Sequence, residues 1–327
     1  MATYRSVLEV TKWVAPKDSL LSTAVVSRVW HKAASSEELW RAYVESLDLE
    51  TNSDLSSFKD VYRFCRRLPA LIAPTTLHLF LPKSRMWRSV QLTSRILVDK
   101  SSSWALASEG YFICTGGGAG VNFNSDASDD YDVAFKVQQS GRVSVLACMN
   151  VKRKWHGSIA VKERCYVFGG VSADQDISST EKLSLEDAES EPWIQGSDML
   201  SPRSSFNPCV HEGSIYLLGG KTANCEVFHC ESETFDALPL SLDYSHSSSV
   251  EVKGRLVILL CGKMLREVEA GQFSEQNHSW NYVCGNMNPV ISGNFCYIPQ
   301  AYDNFNIFEL NLTTEEVKKI SALHLRE

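Results

Sequence analysis

The chain has no long apolar run. Its longest strongly apolar stretch, Leu256-Val257-Ile258-Leu259-Leu260-Cys261, is six residues. A helix needs about 20 to cross a bilayer, so this stretch is a buried strand candidate and no membrane partner is expected. Excess charge of one sign is missing too: 32 Lys and Arg face 39 Asp and Glu over 327 residues, a net charge of −7. That balance gives no electrostatic reason to expect nucleic acid as a partner. The ten cysteines lack the close CxxC pairing of a zinc module or thiol redox site. Several of them (Cys114, Cys165, Cys261, Cys296) lie inside apolar runs, where a reduced thiol behaves as a small buried hydrophobe. A cytoplasmic or nuclear protein is the expectation. The opening Met1-Ala2-Thr3-Tyr4-Arg5 leads into a mixed run with Glu9 and Lys12, unlike a signal peptide. Hydrophobic residues at 44% and charged residues at 22% suit a folded chain of one large or two modest domains.

Catalytic signatures are equally scarce. Gly219-Gly220-Lys221-Thr222 imitates the end of a phosphate-binding loop, but the required first glycine would stand where Ile215 does. Gly116-Gly117-Gly118-Ala119-Gly120 lacks the spacing and the following helix of a dinucleotide fingerprint. Cys225, His229 and Cys230 resemble a metal set, yet neighbours in a strand point to opposite faces, so one ion would struggle to gather all three. His156 and His246 fall at turns rather than beside a nucleophile. No metal, no cofactor and no catalytic residue is expected; a spatial Ser–His–Asp set could still hide in the fold.

What is present changes character near residue 70. Before it the apolar period is helical. Val7, Val10 and Val14 fall three and four apart, and Leu20, Leu21, Ala24, Val25 and Val29 form a second stripe after Lys17-Asp18-Ser19. Ser35-Ser36 caps a third segment, placing Glu37 and Glu38 where carboxylates suit the free N–H groups. A fourth carries Leu55, Phe58, Val61, Tyr62, Cys65 and Leu68. Trp13, Trp30 and Trp40 give this small region more aromatic surface than its own core needs, unless all three fill that core.

After residue 70 the signal is β and it repeats. Tyr111 through Thr115 runs into Gly116-Gly117, Cys165 through Phe168 into Gly169-Gly170, Ile215 through Leu218 into Gly219-Gly220, and Leu256 through Leu260 into Cys261-Gly262. A fifth run, Phe295 through Ile298, meets Pro299-Gln300. Markers at Gly117, Gly170, Gly220, Gly262 and Gln300 are spaced 53, 50, 42 and 38 residues, periods of propellers and solenoids. Polar turns (Lys152 through His156, Ser201 through Ser204, Asp243 through His246) precede the central markers. Strand–turn–strand pairs follow them, with Trp193, Phe235, Trp280 or Val317 as the large apolar residue of the outer strand. Leu77 through Leu81 and Met86 through Val90 look like the outer half of another such unit. Four short strands per period make one antiparallel blade, and blades stacked in a ring lose their free edges.

These repeats resemble the kelch family, which joins an apolar strand and a double glycine to a later Tyr and Trp. The expected fold is an all-β kelch-like propeller over 71–327, six blades with one reduced, or five. The stretch from Leu20-Leu21 through Val25-Val26-Ser27-Arg28-Val29-Trp30 to Glu37-Glu38-Leu39-Trp40 is similar to the F-box. That resemblance implies an all-α module over 1–50, with a helical linker over 51–70. It further implies a substrate receptor of a Skp1–cullin–F-box ubiquitin ligase, a non-catalytic subunit. Val14, Pro16, Leu20, Leu21, Val25 and Val26 would then contact a Skp1-type adaptor and through it a cullin, with Trp30, Leu39 and Trp40 contributing or bracing the helices. An unknown protein substrate would meet one rim of the propeller, with Arg153, Arg203 and the acidic Asp126, Asp129 and Asp130 as its expected contacts; the two arginines could instead brace the loops between blades. The Leu-Pro that opens the F-box family is absent near Tyr4-Arg5, which favours the alternative: a propeller interaction scaffold with no ligase link. An enzyme on a kelch-like propeller is the third reading and needs a metal or cofactor at the channel.

Overall fold

The computed structural model describes residues 70–321 apart from 73–74, 83–84, 98–100, 108–109, 119, 122–130, 187, 190, 243–246, 253, 261–262, 270–271, 278–288, 293, 301–305 and 315. Every regular element among the described residues is a strand. The first sheet holds β1 (Ala70–Ile72), β2 (Thr76–Leu81) and β3 (Met86–Gln91). A short pair, β4 (Ile96–Leu97) with β7 (Gly120–Val121), flanks the second sheet of β5 (Ser103–Leu106), β6 (Phe112–Thr115), β8 (Ala134–Val137) and β9 (Val143–Val145). The third sheet orders β10 (Gly157–Val161), β11 (Arg164–Phe168), β14 (Thr180–Ser184) and β15 (Ile194–Gln195), and the hairpin of β12 (Val171–Ser172) and β13 (Gln175–Asp176) projects from it.

The fourth sheet is β17 (Cys209–His211), β18 (Ser214–Leu217), β19 (Asn224–His229) and β20 (Thr234–Ser241). The fifth adds β16 (Phe206–Asn207), in parallel, to β21 (Ser247–Val252), β22 (Arg255–Leu260), β23 (Lys263–Glu269) and β24 (Gln272–Asn277). The sixth is β25 (Val290–Ser292), β26 (Phe295–Gln300), β27 (Asn306–Asn311) and β28 (Val317–Ser321). All other pairings within these sheets are antiparallel. Tight turns set the registers: His211 faces Ser214 across Glu212-Gly213, both at positive φ, the conformation a two-residue hairpin needs.

The core is divided into wedges between sheets. Ile113, Leu146, Ala160, Val167, Leu183 and Trp193 fill the gap between the second and third. Ile159, Tyr166, Phe168, Ile215, Leu217 and Phe228 fill the next. Cys209, Cys225, Leu256 and Ile258 join the fourth to the fifth, and Val250, Val257, Leu259, Cys296 and Ile298 the fifth to the sixth. The ring then closes, because Phe80 of the first sheet packs on Tyr297 and Ile307 of the sixth, with its ring centroid 5.5 Å from that of Tyr297. Thr93 and Gly141 join first and second sheets through a backbone hydrogen bond of 2.9 Å. The architecture is an all-β propeller: no sheet could bury both faces alone, and the ring supplies each with two neighbours.

Two expectations need correction. The count of six blades with one reduced, or five, does not describe the sheets: four are complete four-stranded antiparallel blades (the second, third, fourth and sixth), the first has three strands, and the fifth has five, one of them parallel. Glycine markers locate the end of a blade's second strand; they do not reveal how many partners the sheet acquires. The all-α module is the second. No helix stands among the described residues, Ala70 opens a strand rather than ending a helical linker, and the proposed module at 1–50 lies outside the described residues, as does Trp280.

Candidate functional site

The glycine pairs explain the loops that build the site. Gly117 and Gly170 have φ of 55° and 98°, and a Cβ at Gly117 would stand 2.2 Å from the backbone of Ser101, one at Gly170 2.8 Å from Lys154 O. Only glycine lets the loop entering a blade lie this close to the strand end beside it. The second glycine then donates its N–H to the equivalent loop of the next blade, Gly117 to Arg153 O (3.0 Å) and Gly170 to Arg203 O (2.8 Å).

Arg153 and Arg203 turn inward from these loops and are fully buried. Arg153 Nη1 donates to Gly169 O (2.8 Å) and Ser179 O (2.9 Å), and Nη2 to Glu181 Oε1 (2.7 Å). Glu181 also accepts from the N–H groups of Asn150 and Val151. Arg203 repeats the arrangement on Gly219 O (2.9 Å), Leu217 O (3.2 Å) and Glu226 Oε1 (2.7 Å), while Glu226 accepts from the N–H groups of Leu200 and Ser201. Each arginine ties two blades, the backbone to one and the guanidinium to the next. Burial lowers the Arg153 pKa, opposed by the charge of Glu181 and its hydrogen bond.

Two residues beyond each arginine the chain adopts a left-handed conformation, at Trp155 (φ 55°) and Ser205 (φ 61°). Trp155 N–H donates to Ser101 O (2.8 Å), and Ser205 N–H donates to Trp155 O (2.7 Å), so the loops of three successive sheets are linked head to tail. A bulky residue is rarely found with positive φ, since its Cβ crowds the carbonyl; strain of this kind is held by its surroundings and points to a role for the side chain.

That side chain organises charge. Lys154 Nζ lies 5.1 Å from the Trp155 ring centroid and 5.5 Å from that of Tyr131, and Lys221 Nζ lies 5.7 Å from Trp155. Ring faces attract ammonium ions at such distances. Lys154 also meets Asp174 at 3.3 Å, and Lys221 meets Asp176 at 4.0 Å; both acids belong to the β12–β13 hairpin. Beneath them, His156 is buried. Its Nε2 lies 2.7 Å from Thr115 Oγ1, and its Nδ1 has no hydrogen-bond partner. Burial, then the nearby Arg153 charge, push its pKa well below the usual 6.5, so the imidazole is neutral at pH 7.

The expected adaptor contacts Val14, Pro16, Leu20, Leu21, Val25, Val26, Trp30, Leu39 and Trp40 lie outside the described residues, as do Asp126, Asp129 and Asp130. Arg153 and Arg203 sit inside the molecule rather than on a rim pocket: their hydrogen bonds go to backbone carbonyls and glutamates. Tyr131, Lys154, Trp155 and Lys221 are brought together instead. The signal for them was a tryptophan placed in a charged turn, Lys152 through His156. One hidden Ser–His–Asp line does exist: Ser214 Oγ to His229 Nδ1 is 3.3 Å, and His229 Nε2 to Asp236 Oδ2 is 3.1 Å. It runs across three neighbouring strands with Asp236 and His229 open to solvent, where water competes for each bond, and it is a cross-strand hydrogen-bond line.

A β-propeller with a lysine–aromatic loop face is the class that fold and site define. No family model matches the chain. Beta-scruin of Limulus polyphemus is similar to it, 28% identical over 127 residues, a match covering 36% of this chain and 13% of that protein. The chain thus spans a small fraction of this relative's length. With no family match and an all-β described structure, the reading as an F-box protein with a C-terminal kelch-repeat propeller, and with it the ubiquitin ligase receptor, is overturned.

Proposed function

We propose that the chain is a propeller scaffold that binds another protein, without a ligase role and without catalysis, and that it does so through the loop face centred on Trp155. The observation that carries this reading is a tryptophan held in a left-handed backbone conformation between two lysines, at a partly buried position where loops of three sheets meet. Trp and Tyr side chains fixed on a rigid frame are the usual anchors of protein contacts, and charges beside them steer the choice of partner. A reducing compartment, cytoplasm or nucleus, belongs to the same proposal. Cys165, Cys209, Cys225, Cys230 and Cys296 are free thiols, and burial pushes those of Cys165, Cys209 and Cys296 up to about 12, which keeps them protonated and unreactive.

Affinity capture with the full chain, beside Trp155→Ala, tests it. Trp155 contributes little to the wedges of the core, so the variant keeps the native near-ultraviolet circular dichroism apart from one indole. Proteins held by the parent and lost from the variant are expected; identical sets from both would remove this face from the reading.

A further inference from the structure

We infer that the Trp155 face takes an acidic segment carrying two carboxylates two residues apart. The inference rests on the interaction reading above and names the partner's chemistry. Two ammonium groups, Lys154 and Lys221, flank one indole at 5.1 and 5.7 Å from its centroid. Held against the ring, each has already lost much of the rotamer freedom that a surface lysine gives up on binding, which favours capture of an anion.

The chain itself displays what these lysines accept. The β12–β13 hairpin sets Asp174 on Lys154 and Asp176 on Lys221, two carboxylates separated by Gln175. The hairpin is positioned for this by two features. Lys154 forms a backbone bridge with Val171 at its base, and Ala173 and Asp174 at its tip both have positive φ, which closes a two-residue turn. The contacts are nonetheless loose. Asp176 stands 4.0 Å from Lys221, and the Asp174 side chain is 92% exposed. Exposed pairs of this kind have small net energies, so carboxylates on a partner can replace them. The hairpin thus acts as a built-in competitor, and its Asp-Gln-Asp spacing is the pattern a partner must match. A basic segment would face the same two ammonium groups across low-dielectric aromatic surface and be repelled.

The test uses the full chain and fluorescein-labelled, capped peptides with the sequence of residues 172–178, Ser-Ala-Asp-Gln-Asp-Ile-Ser. Control peptides carry Asn-Gln-Asn or Lys-Gln-Lys at the centre. Fluorescence anisotropy at low salt should show binding of the acidic peptide alone. The Asp174→Asn, Asp176→Asn double variant, freed of its competitor, should bind it about threefold to tenfold more tightly, the range two weak exposed pairs can supply. Lys154→Gln with Lys221→Gln should abolish binding. Should that pair disturb folding, the exposed Lys221→Gln alone must still weaken it. Binding of the acidic peptide that ignores all of these substitutions, or preference for the Lys-Gln-Lys peptide, overturns the inference. If the acidic peptide fails to bind while Trp155→Ala still loses captured proteins, the inference falls and the interaction reading stands.

Discussion

The third and fourth sheets and the seam between the sixth and first handle one problem differently. Each of the three sheets has a buried glutamate on its third strand at the same register. Glu181 lies opposite Val167, Glu226 opposite Leu217 and Glu309 opposite Tyr297, each partner two residues before the pair that ends its strand. In the wedges the counter-charge is a fully buried arginine from the loop just upstream, 28 or 23 residues away. At the seam it is Arg85, 224 residues away on the β2–β3 turn, at 2.8 Å. The Arg85 side chain is 51% exposed while Glu309 is 3% exposed. Inside the ring the pair is sealed and local; where the ring closes, one half is in water and the partners come from opposite ends of the described chain. A sealed pair holds only if both charges remain, whereas a half-open pair lets water replace part of the lost partner.

The comparison is broken most severely by Arg153→Ala, which strands the Glu181 carboxylate; a loss of about 3–5 kcal/mol in urea unfolding is expected. Arg153→Met with Glu181→Leu should recover most of it, because the cost lies in the orphaned charge rather than in the absent bond. Next comes Gly117→Ala, where a left-handed φ and the Ser101 backbone 2.2 Å from the new Cβ combine to cost about 2–4 kcal/mol. The next effect is written in pH. His156 is neutral in the fold and protonates near its ordinary 6.5 when unfolded, so the unfolded state takes up more protons below that value and stability falls as pH drops. Urea unfolding should show stability falling as pH drops below 6.5, and His156→Phe, which copies Phe206 in the next repeat, should flatten that slope. Arg85→Ala is the mildest at about 1–2 kcal/mol. Its sharper signature is hydrogen exchange: β1–β3 and β25–β28 should lose protection before the wedges do.

Some of this was legible in the sequence. The glycine pairs at 116–117, 169–170 and 219–220 marked strand ends correctly, since a close backbone approach leaves glycine as the choice that fits. The correspondence of Arg153 with Arg203 was also visible as a repeated position. Their burial was not, because the glutamates that neutralise them stand more than twenty residues downstream, on strands with other polar positions (Thr180, Lys182 and Ser184 on β14; Asn224 and His229 on β19) among which one more carboxylate does not stand out. The fifth sheet hid for a different reason. Pro208 has no N–H to give a ladder, so it separates β16 from β17 and frees Phe206-Asn207 to pair sideways with Ser247-Ser248. No local pattern announces a parallel partner forty residues away. The conformation of Trp155 was equally silent, as it runs against the preference of bulky residues.

Trp155 and Ser205 share a backbone shape and a place in the same chain of hydrogen bonds, yet they carry side chains as unlike as indole and hydroxymethyl. The propeller therefore behaves there as a row of sockets, in which the fitting is fixed and the plug is exchangeable. Ser205→Trp would erect a second aromatic post beside the first without new scaffolding, and a different set of plugs would let the same ring address a different protein.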